Sequence, residues 1–273
     1  MEQHRMSPED HLRSGDPEAA LAALQALVRA KPADVKLRIF LFQLLCVLGD
    51  WKRAVTQLKV CGELDESTTP MTQTYREAII CEVYRAKVFA GDKPPLAFGA
   101  PSDWIAWLIE AQRLMATGNE AEAAELRARA FDAAPATSGA INGTPFSWIA
   151  DADMRFGPVL EAVVNGRYFW IPFTAMHAIR MEPPSDLRDM VWTAANITLT
   201  NGGEIVALIP TRYPDTTSAG NAAEKLARVT TWIETPGGGF TGRGQRLLST
   251  DADDFALHDI RVLELSTSGT GAG

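Results

Sequence analysis

The side chains in this sequence that could do chemistry are few, and most are carboxylates and arginines. Asp151, Asp153 and Arg155 alternate in the run DADMR, and Glu161 follows six residues later. Carboxylates at alternate positions of an extended segment project to one side, which is one way to present oxygens to a cation. A hard-cation site, however, takes about six to eight oxygens and a turn glycine within its loop. Arg155 in the middle of the run favours ion pairing instead, so the cluster is read as structural and no metal is expected. The rest of the second half points the same way. Residues 141–273 hold nine arginines and a single lysine, Lys225, and a guanidinium forms forked carboxylate pairs that tolerate burial better than an ammonium does. Arg188 and Asp189 in DLRD, Arg212 in PTRYP, Arg228 and Arg246 are therefore expected to fix loops through ion pairs, Arg246 with Glu234 or Asp251.

Nucleophilic catalysis finds no support. The four histidines are His4, His11, His177 and His258, no GxSxG or HExxH run exists, and the cysteines, Cys46, Cys61 and Cys81, all precede the second half. They lack CxxC spacing and lie in apolar helical stretches, so they are read as buried thiols. GGGFTGRGQR, 237–246, has the glycine content of a phosphate loop without its terminal Gly-Lys-Ser/Thr, and is read as a tight β-turn. No catalytic residue and no cofactor is expected. The alternative is a small-ligand or metal-dependent enzyme built on Asp151, Asp153, Glu161, Arg188 and Arg228.

The elements that carry these residues fall into two kinds. Gly15, Asp16, Ala20 and Leu24 recur as Gly49, Asp50, Ala54 and Leu58, displaced by 34 residues, and Gly118, Ala123 and Pro135 repeat the spacing of Gly15, Ala20 and Pro32. A 34-residue period with a turn glycine, a small residue five positions later and a helix-stopping proline marks tetratricopeptide hairpins. The insert at 67–70 and the loop AGDKPPLAFGAP at 90–101 break the register, the loop in place of a second helix, so the array is degenerate. After residue 146 the pattern becomes strand-like, with runs at 168–171, 179–181, 196–200, 204–209, 230–234 and 255–265 divided by NG, PP and GGG turns. Short helices are expected at 158–164 and 187–191. The fold class expected is an α+β chain in two parts: a degenerate tetratricopeptide-like α-α superhelix over 1–140 and a small antiparallel, β-rich, barrel-like domain over 141–265. A flexible tail is expected over 266–273.

In a tetratricopeptide hairpin the first helix lines the groove that holds a partner. In the second copy that points to Lys36, Ile39, Gln43 and Cys46, and in the third to Ile105, Leu108, Gln112 and Met115. The apolar members compete with a core role, as do Trp104 and Trp107 on the same helix stripe; Lys36, Gln43 and Gln112 are the stronger candidates. The charge balance, 26 basic against 34 acidic residues and a net charge of −8, gives no basic face. Nucleic acid and anionic membranes are disfavoured as partners. No apolar run approaches the length of a bilayer span, and the first residues lack the apolar core of a signal peptide, so a cytoplasmic location is expected.

The second half also carries long runs of one family. SWIADADMRFGPVLEAVVNGRYFWIPF at 147–173, EPPSDLRDMVW at 182–192, IPTRYP at 209–214, LARVTTWIE at 226–234 and GRGQRLL at 242–248 resemble the ImpE family, also called TagJ or SciE-type, an accessory component of bacterial type VI secretion loci. The segment PDTTSAGNAAEK after Tyr213 departs from that pattern and reads as a surface loop. The resemblance implies a non-enzymatic adaptor with a degenerate tetratricopeptide-like beginning. It further implies binding to the amino-terminal region of the small sheath subunit and contact with the ClpV-type ATPase that disassembles the sheath.

Overall fold

A computed structural model describes residues 6–99 and 102–266. The end of the 90–101 loop and the expected tail beyond Ser266 lie outside the described residues. The chain begins with helices α1 (Pro8–Arg13), α2 (Pro17–Ala30), α3 (Val35–Leu48), α4 (Trp51–Leu64), α5 (Thr69–Phe89), α6 (Asp103–Ala116) and α7 (Glu120–Ala133). The repeat logic is visible in the turns. Gly15, Gly49, Gly91 and Gly118 all take left-handed backbone, with φ between 78° and 85°, a conformation that costs residues with a Cβ but not glycine. Asp16, Asp34 and Asp50 accept hydrogen bonds from amides three residues on, capping α2, α3 and α4. Ala20, Ala54 and Ala123, each five residues beyond a turn glycine, are fully buried, which is where the helices of a hairpin come closest.

α5 has no second helix of its own. The loop after it instead forms β1 (Leu96–Ala97), which pairs in parallel with β6 (Arg167–Pro172). The remaining strands are β2 (Gly139–Ile141), β3 (Thr144–Phe146), β4 (Ile149–Asp151), β5 (Val159–Val164), β7 (Met176–Met181), β8 (Trp192–Leu199), β9 (Glu204–Pro210), β10 (Thr230–Glu234), β11 (Phe240–Gly244), β12 (Leu247–Thr250), β13 (Asp254–Ala256) and β14 (Val262–Leu265). Nine of the strands form one sheet in the order β1-β6-β5-β9-β8-β7-β14-β2-β3, while β13-β12-β4 and β10-β11 form two smaller sheets. The large sheet runs open from β1 to β3, so the barrel closure expected from the strand count is not formed.

The expected helix at 158–164 is β5, a central strand. Its residues are buried on both faces: Val159, Glu161 and Val163 toward the helices, Leu160, Ala162 and Val164 toward a second core. A strand covered on both sides reads as a continuous apolar run and loses the alternation that marks a half-exposed one. The stretch at 187–191 is likewise a turn rather than a helix, and the 255–265 run is divided into β13 and β14 by a 3-10 turn, Leu257–Asp259.

One apolar core is shared by both halves. Leu41 to Val47 of α3 are buried without a gap, and their cluster continues through Tyr75 and Phe89 on or beside α5 into Phe156, Trp170, Trp192 and Tyr213. Trp192 sits between Trp51 and Tyr75 at ring separations of 6.0 and 5.6 Å. The segment expected to be a surface loop after Tyr213 forms two short helices, α8 (Thr216–Ala219) and α9 (Ala222–Lys225), and buries Thr216 and Glu224. It is built against the repeat turns: a Cβ at Gly49 would lie 2.6 Å from the Thr217 Cβ, whereas one at Gly118 meets nothing within 4 Å. Both glycines have the same backbone requirement, so comparing them isolates the contact. Gly118→Ala is expected to cost about 1 kcal/mol and Gly49→Ala clearly more, read by urea denaturation; equal losses would mean that α8 is not seated on the turn.

Candidate functional site

The family runs converge on a buried lattice of arginines and carboxylates between α5 and the sheet. Glu161 on β5 is its centre. Arg85 on α5 grips it with two parallel bonds, Nε to Oε1 at 2.6 Å and Nη2 to Oε2 at 2.7 Å. Arg246 bridges Glu161 to Asp151, and the Tyr168 hydroxyl donates to Glu161 Oε1. The other oxygen of Asp151 accepts from the Tyr213 hydroxyl and the Asp153 amide, each at 2.9 Å. Asp153 takes the Arg155 fork, with Nη2 at 2.6 Å, and the Gly242 amide at 2.7 Å. Aromatic rings wall the guanidiniums: Arg246 lies over Phe156 and Tyr213 at 4.8 and 5.1 Å, and Arg155 over Phe89 at 5.2 Å.

Local geometry explains why these groups meet. DADMR leaves β4 and turns back at Phe156-Gly157, so Asp151 ends a strand while Asp153 and Arg155 close a turn upon themselves. Period-two alternation along β5 puts Glu161, with Val159 and Val163, on the helix side. The Arg246 amide bonds to Thr211 O and its Nε to Pro210 O at 3.0 Å, which aims its fork inward. The pairing expected of Arg246 with Glu234 or Asp251 is therefore replaced by Asp151 and Glu161. Those two carboxylates are fully buried, as Arg246 is, and a buried guanidinium draws buried carboxylates far more strongly than exposed ones, which water already solvates.

Arg212 and Arg228 do something else. Arg212 is buried and donates to Val47 O at 2.7 Å and Cys46 O at 3.3 Å, the last-turn carbonyls of α3, and also to Lys225 O. Arg228 donates to Leu12 O at 2.7 Å at the end of α1. Each places positive charge at the carbonyl end of a helix, so the second half caps two hairpins of the first. Arg188 pairs with Asp186 and lies 4.9 Å from the Tyr75 ring, while Asp189 accepts the amides of Ser185 and Asp186.

The groove candidates are scattered. Lys36 is exposed, Ile39 and Met115 are half-buried, and Gln43 and Gln112 are enclosed, Gln112 donating to Phe89 O at 3.4 Å. Cys46, Ile105 and Leu108 belong to the core. Several concave surfaces are found among the described residues, and two of them lie against α4 and α5. One, of about 270 Å³, lies among α4, α5 and residues 212–218 and is lined by Trp51, Glu82, Arg85, Arg212 and Thr217. The other, of about 870 Å³, is an open groove between α4 and α5 with Val55, Leu58, Arg76 and Ile80 on its walls. Arg85 and Tyr168 were not singled out from sequence. The signal for Arg85 was a lone cation in the stripe Ala78, Cys81, Arg85, Val88, all buried.

Chemically, every carboxylate of the lattice is engaged on both oxygens. Among the described residues no cluster of three or more His, Cys, Asp or Glu could hold a metal, and no helix is long and apolar enough to cross a membrane. All three cysteines are free and buried, and burial pushes the Cys81 thiol up to about 12.

The chain as a whole is similar to known proteins. The chain is 51% identical over 259 residues to a protein of Pseudomonas aeruginosa strain PAO1 described as type VI secretion system accessory component TagJ, covering 95% of this chain and 91% of that one. The family model for ImpE protein matches residues 143–264. The chain belongs to the ImpE family. A tetratricopeptide repeat model matches residues 11–65, which agrees with the turn glycines and buried alanines of the first hairpins. Protein VPA1032 from Vibrio parahaemolyticus, known from its crystal structure, shares the fold with a TM-score of 0.87 at 23% identity, covering 95% of this chain and 97% of that one. In this ImpE chain the family runs supply Asp151, Asp153, Arg155, Glu161, Tyr168, Tyr213 and Arg246 to the ion lattice, while α5 supplies Arg85 and Phe89.

The lattice has a defined pH response. Burial alone would lift Glu161, but the Arg85 and Arg246 guanidiniums outweigh it and hold the carboxyl at about 2, against an ordinary 4.5. Its contribution is present above pH 4.5 and is lost as pH falls toward 2, worth about 3 kcal/mol for a shift of this size. Asp151 faces one guanidinium and the like charge of Asp153, so burial prevails and lifts it from 3.8 to about 6. Its neutral form stabilises the fold below pH 3.8, an effect lost as pH rises through about 6. Together the two groups are expected to give a melting temperature that peaks near about pH 4 and declines as pH rises through about 6, and Asp151→Asn to flatten that decline. A melting temperature that climbs steadily from about pH 5 to about pH 8 contradicts this assignment. Glu161→Gln leaves Arg85 and Arg246 facing a neutral group and is expected to cost about 3–5 kcal/mol in urea denaturation.

Proposed function

We propose that this chain is a cytoplasmic, non-enzymatic adaptor of a type VI secretion system, holding a helix or peptide of the small sheath subunit and linking it to the sheath-disassembling ATPase. The observation that carries the reading is a tetratricopeptide-like array locked onto the ImpE lattice. The lattice supplies rigidity and spends its charged groups internally, which leaves the helices as the platform for a partner. The full-length likeness to an accessory component supports the setting.

The groove between α4 and α5 is the proposed seat. α5 lacks the second helix that would complete its hairpin, and its outer face exposes Ile80 and Val83. An amphipathic helix laid there would stack as the next helix of the array does. Lys36, Ile39 and Met115 are proposed as secondary contacts, because they reach the surface on the first helices of their hairpins; Gln43 and Gln112 position the packing beneath. Titration calorimetry with the purified small sheath subunit tests the reading. Wild type is expected to bind, Ile80→Asp to weaken binding by at least about tenfold, and Lys36→Glu by less than about threefold. Absence of any complex with the sheath subunit overturns the adaptor reading, and binding untouched by Ile80→Asp moves the seat away from α4 and α5.

A further inference from the structure

The two-stranded sheet β10–β11 has one edge built into the protein and one edge open. On β11 the outward groups are all occupied. The Gly242 amide donates to Asp153 Oδ2 at 2.7 Å, and the Gly244 amide to Thr216 Oγ1 at 2.9 Å. Phe240 O and Gly244 O accept the amides of Met154 and Tyr213. Even-numbered residues of β11 therefore face the protein, and the odd ones face β10. In the antiparallel register Thr231 stands opposite Arg243 and Ile233 opposite Thr241, and Gln245 donates to Val229 O while Thr235 donates to Gly239 O. Alternation of the ladder then turns the N–H and C=O groups of Thr230, Trp232 and Glu234 outward. None of these main-chain groups has a hydrogen-bond partner among the described residues.

Open edges in native sheets are ordinarily blunted by lysine, proline or a bulge. This one, Thr-Thr-Trp-Ile-Glu, has none of the three, and Val229, Trp232, Ile233 and Phe240 are exposed around it. It is also held rigid. The Trp232 ring packs 5.8 Å from the Tyr213 ring, and Tyr213 lies so close to β11 that a Cβ at Gly242 would fall 2.2 Å from its ring. At the far end the hairpin turn rests on α7, where Gly237 meets the Glu120 main chain.

The charge at that end is negative. Glu234 is exposed and forms no ion pair among the described residues, and Glu120 has a buried carboxylate oxygen without a hydrogen-bond partner. Arg243, the cation on the neighbouring strand, is already taken by Glu224 at 3.1 Å.

From this we infer that the outer edge of β10 is a docking site for an extended segment of a partner protein, which adds a third strand and carries a basic residue opposite Glu234. Main-chain bonds to Thr230, Trp232 and Glu234 supply the affinity, and apolar side chains beside Trp232 and Ile233 set the register. The site is separate from the helical groove, on a different surface and for a different conformation of peptide.

The test uses the full chain and a synthetic probe, the capped peptide Lys-Thr-Val-Thr-Val-Thr-Lys, with a version N-methylated at alternate residues as its control. Amide exchange followed by NMR is expected to slow at least about tenfold at Thr230, Trp232 and Glu234 with the first peptide and to stay unchanged with the second. Glu234→Pro removes an outward amide that β11 does not use, so the fold is kept and probe binding is expected to fall by at least about tenfold. Glu234→Lys keeps the edge and reverses the charge, and is expected to favour a glutamate-ended probe. No protection at saturating probe, equal protection by the methylated peptide, or a wild-type dimer in solution that Glu234→Pro dissociates would each overturn the proposal, the last because a second copy then covers the edge.

Discussion

The grip of Arg85 on Glu161 is the contact on which the rest of the structure depends. It joins a helix of the repeat array to the most enclosed strand of the sheet, across 76 residues of chain. Desolvating one carboxylate and one guanidinium costs several kcal/mol per ion unless every donor and acceptor is met. That requirement recruits the neighbours. Arg246 shares the load of Glu161 and passes it to Asp151, Tyr213 and Asp153 complete the hydrogen bonds of Asp151, and Arg155 neutralises Asp153. Phe89, Phe156 and Tyr213 exclude water while offering ring faces to the guanidiniums. A lattice of this kind is costly to break at any one member, because removing one ion leaves its partner buried and uncompensated.

Its second consequence is architectural. Degenerate repeats in which α5 has no second helix lack the continuous nearest-neighbour stacking that stabilises a solenoid. The sheet supplies the missing neighbour: Trp192 fills the space beside Trp51 and Tyr75, and Arg212 and Arg228 close the ends of α3 and α1. What belongs to the repeats and what belongs to the sheet therefore share one core, even though the last repeat helix ends at Ala133 and the first strand after it begins at Gly139. The acidic surface and the open faces of α5 and β10 are what remains for other molecules.

How much of this was legible in sequence depends on the range of the interaction. Gly15, Gly49 and Gly118 announce hairpins because a left-handed turn and a small residue five positions later are local requirements, and the NGG turn at 201–203 announces β8 and β9 for the same reason. The arginines of DADMR, PTRYP and GRGQRLL could be recognised as ion-pairing residues by type. Their partners could not be read, because Arg246 reaches Glu161 across 85 residues and nothing in the spacing encodes that distance. β5 was hidden for a related reason: burial on both faces erases the alternation by which a strand is recognised. Gln43 and Gln112 show the limit for surface residues, since their helix positions are the right ones for a groove but both are buried, Gln112 against the Phe89 carbonyl at the end of α5.

If the lattice makes one unit of repeats and sheet, native-state hydrogen exchange reports it most directly. Amides of Leu44 and Leu45 in α3 and of Leu160 and Ala162 in β5 are expected to open with a single free energy, and that free energy is expected to fall equally at all four when Arg85 is replaced by methionine. Opening of the α3 amides at a distinctly lower free energy than those of β5, or a loss confined to α3 in Arg85→Met, would show that the two halves stand independently and that the Glu161 lattice does not join them.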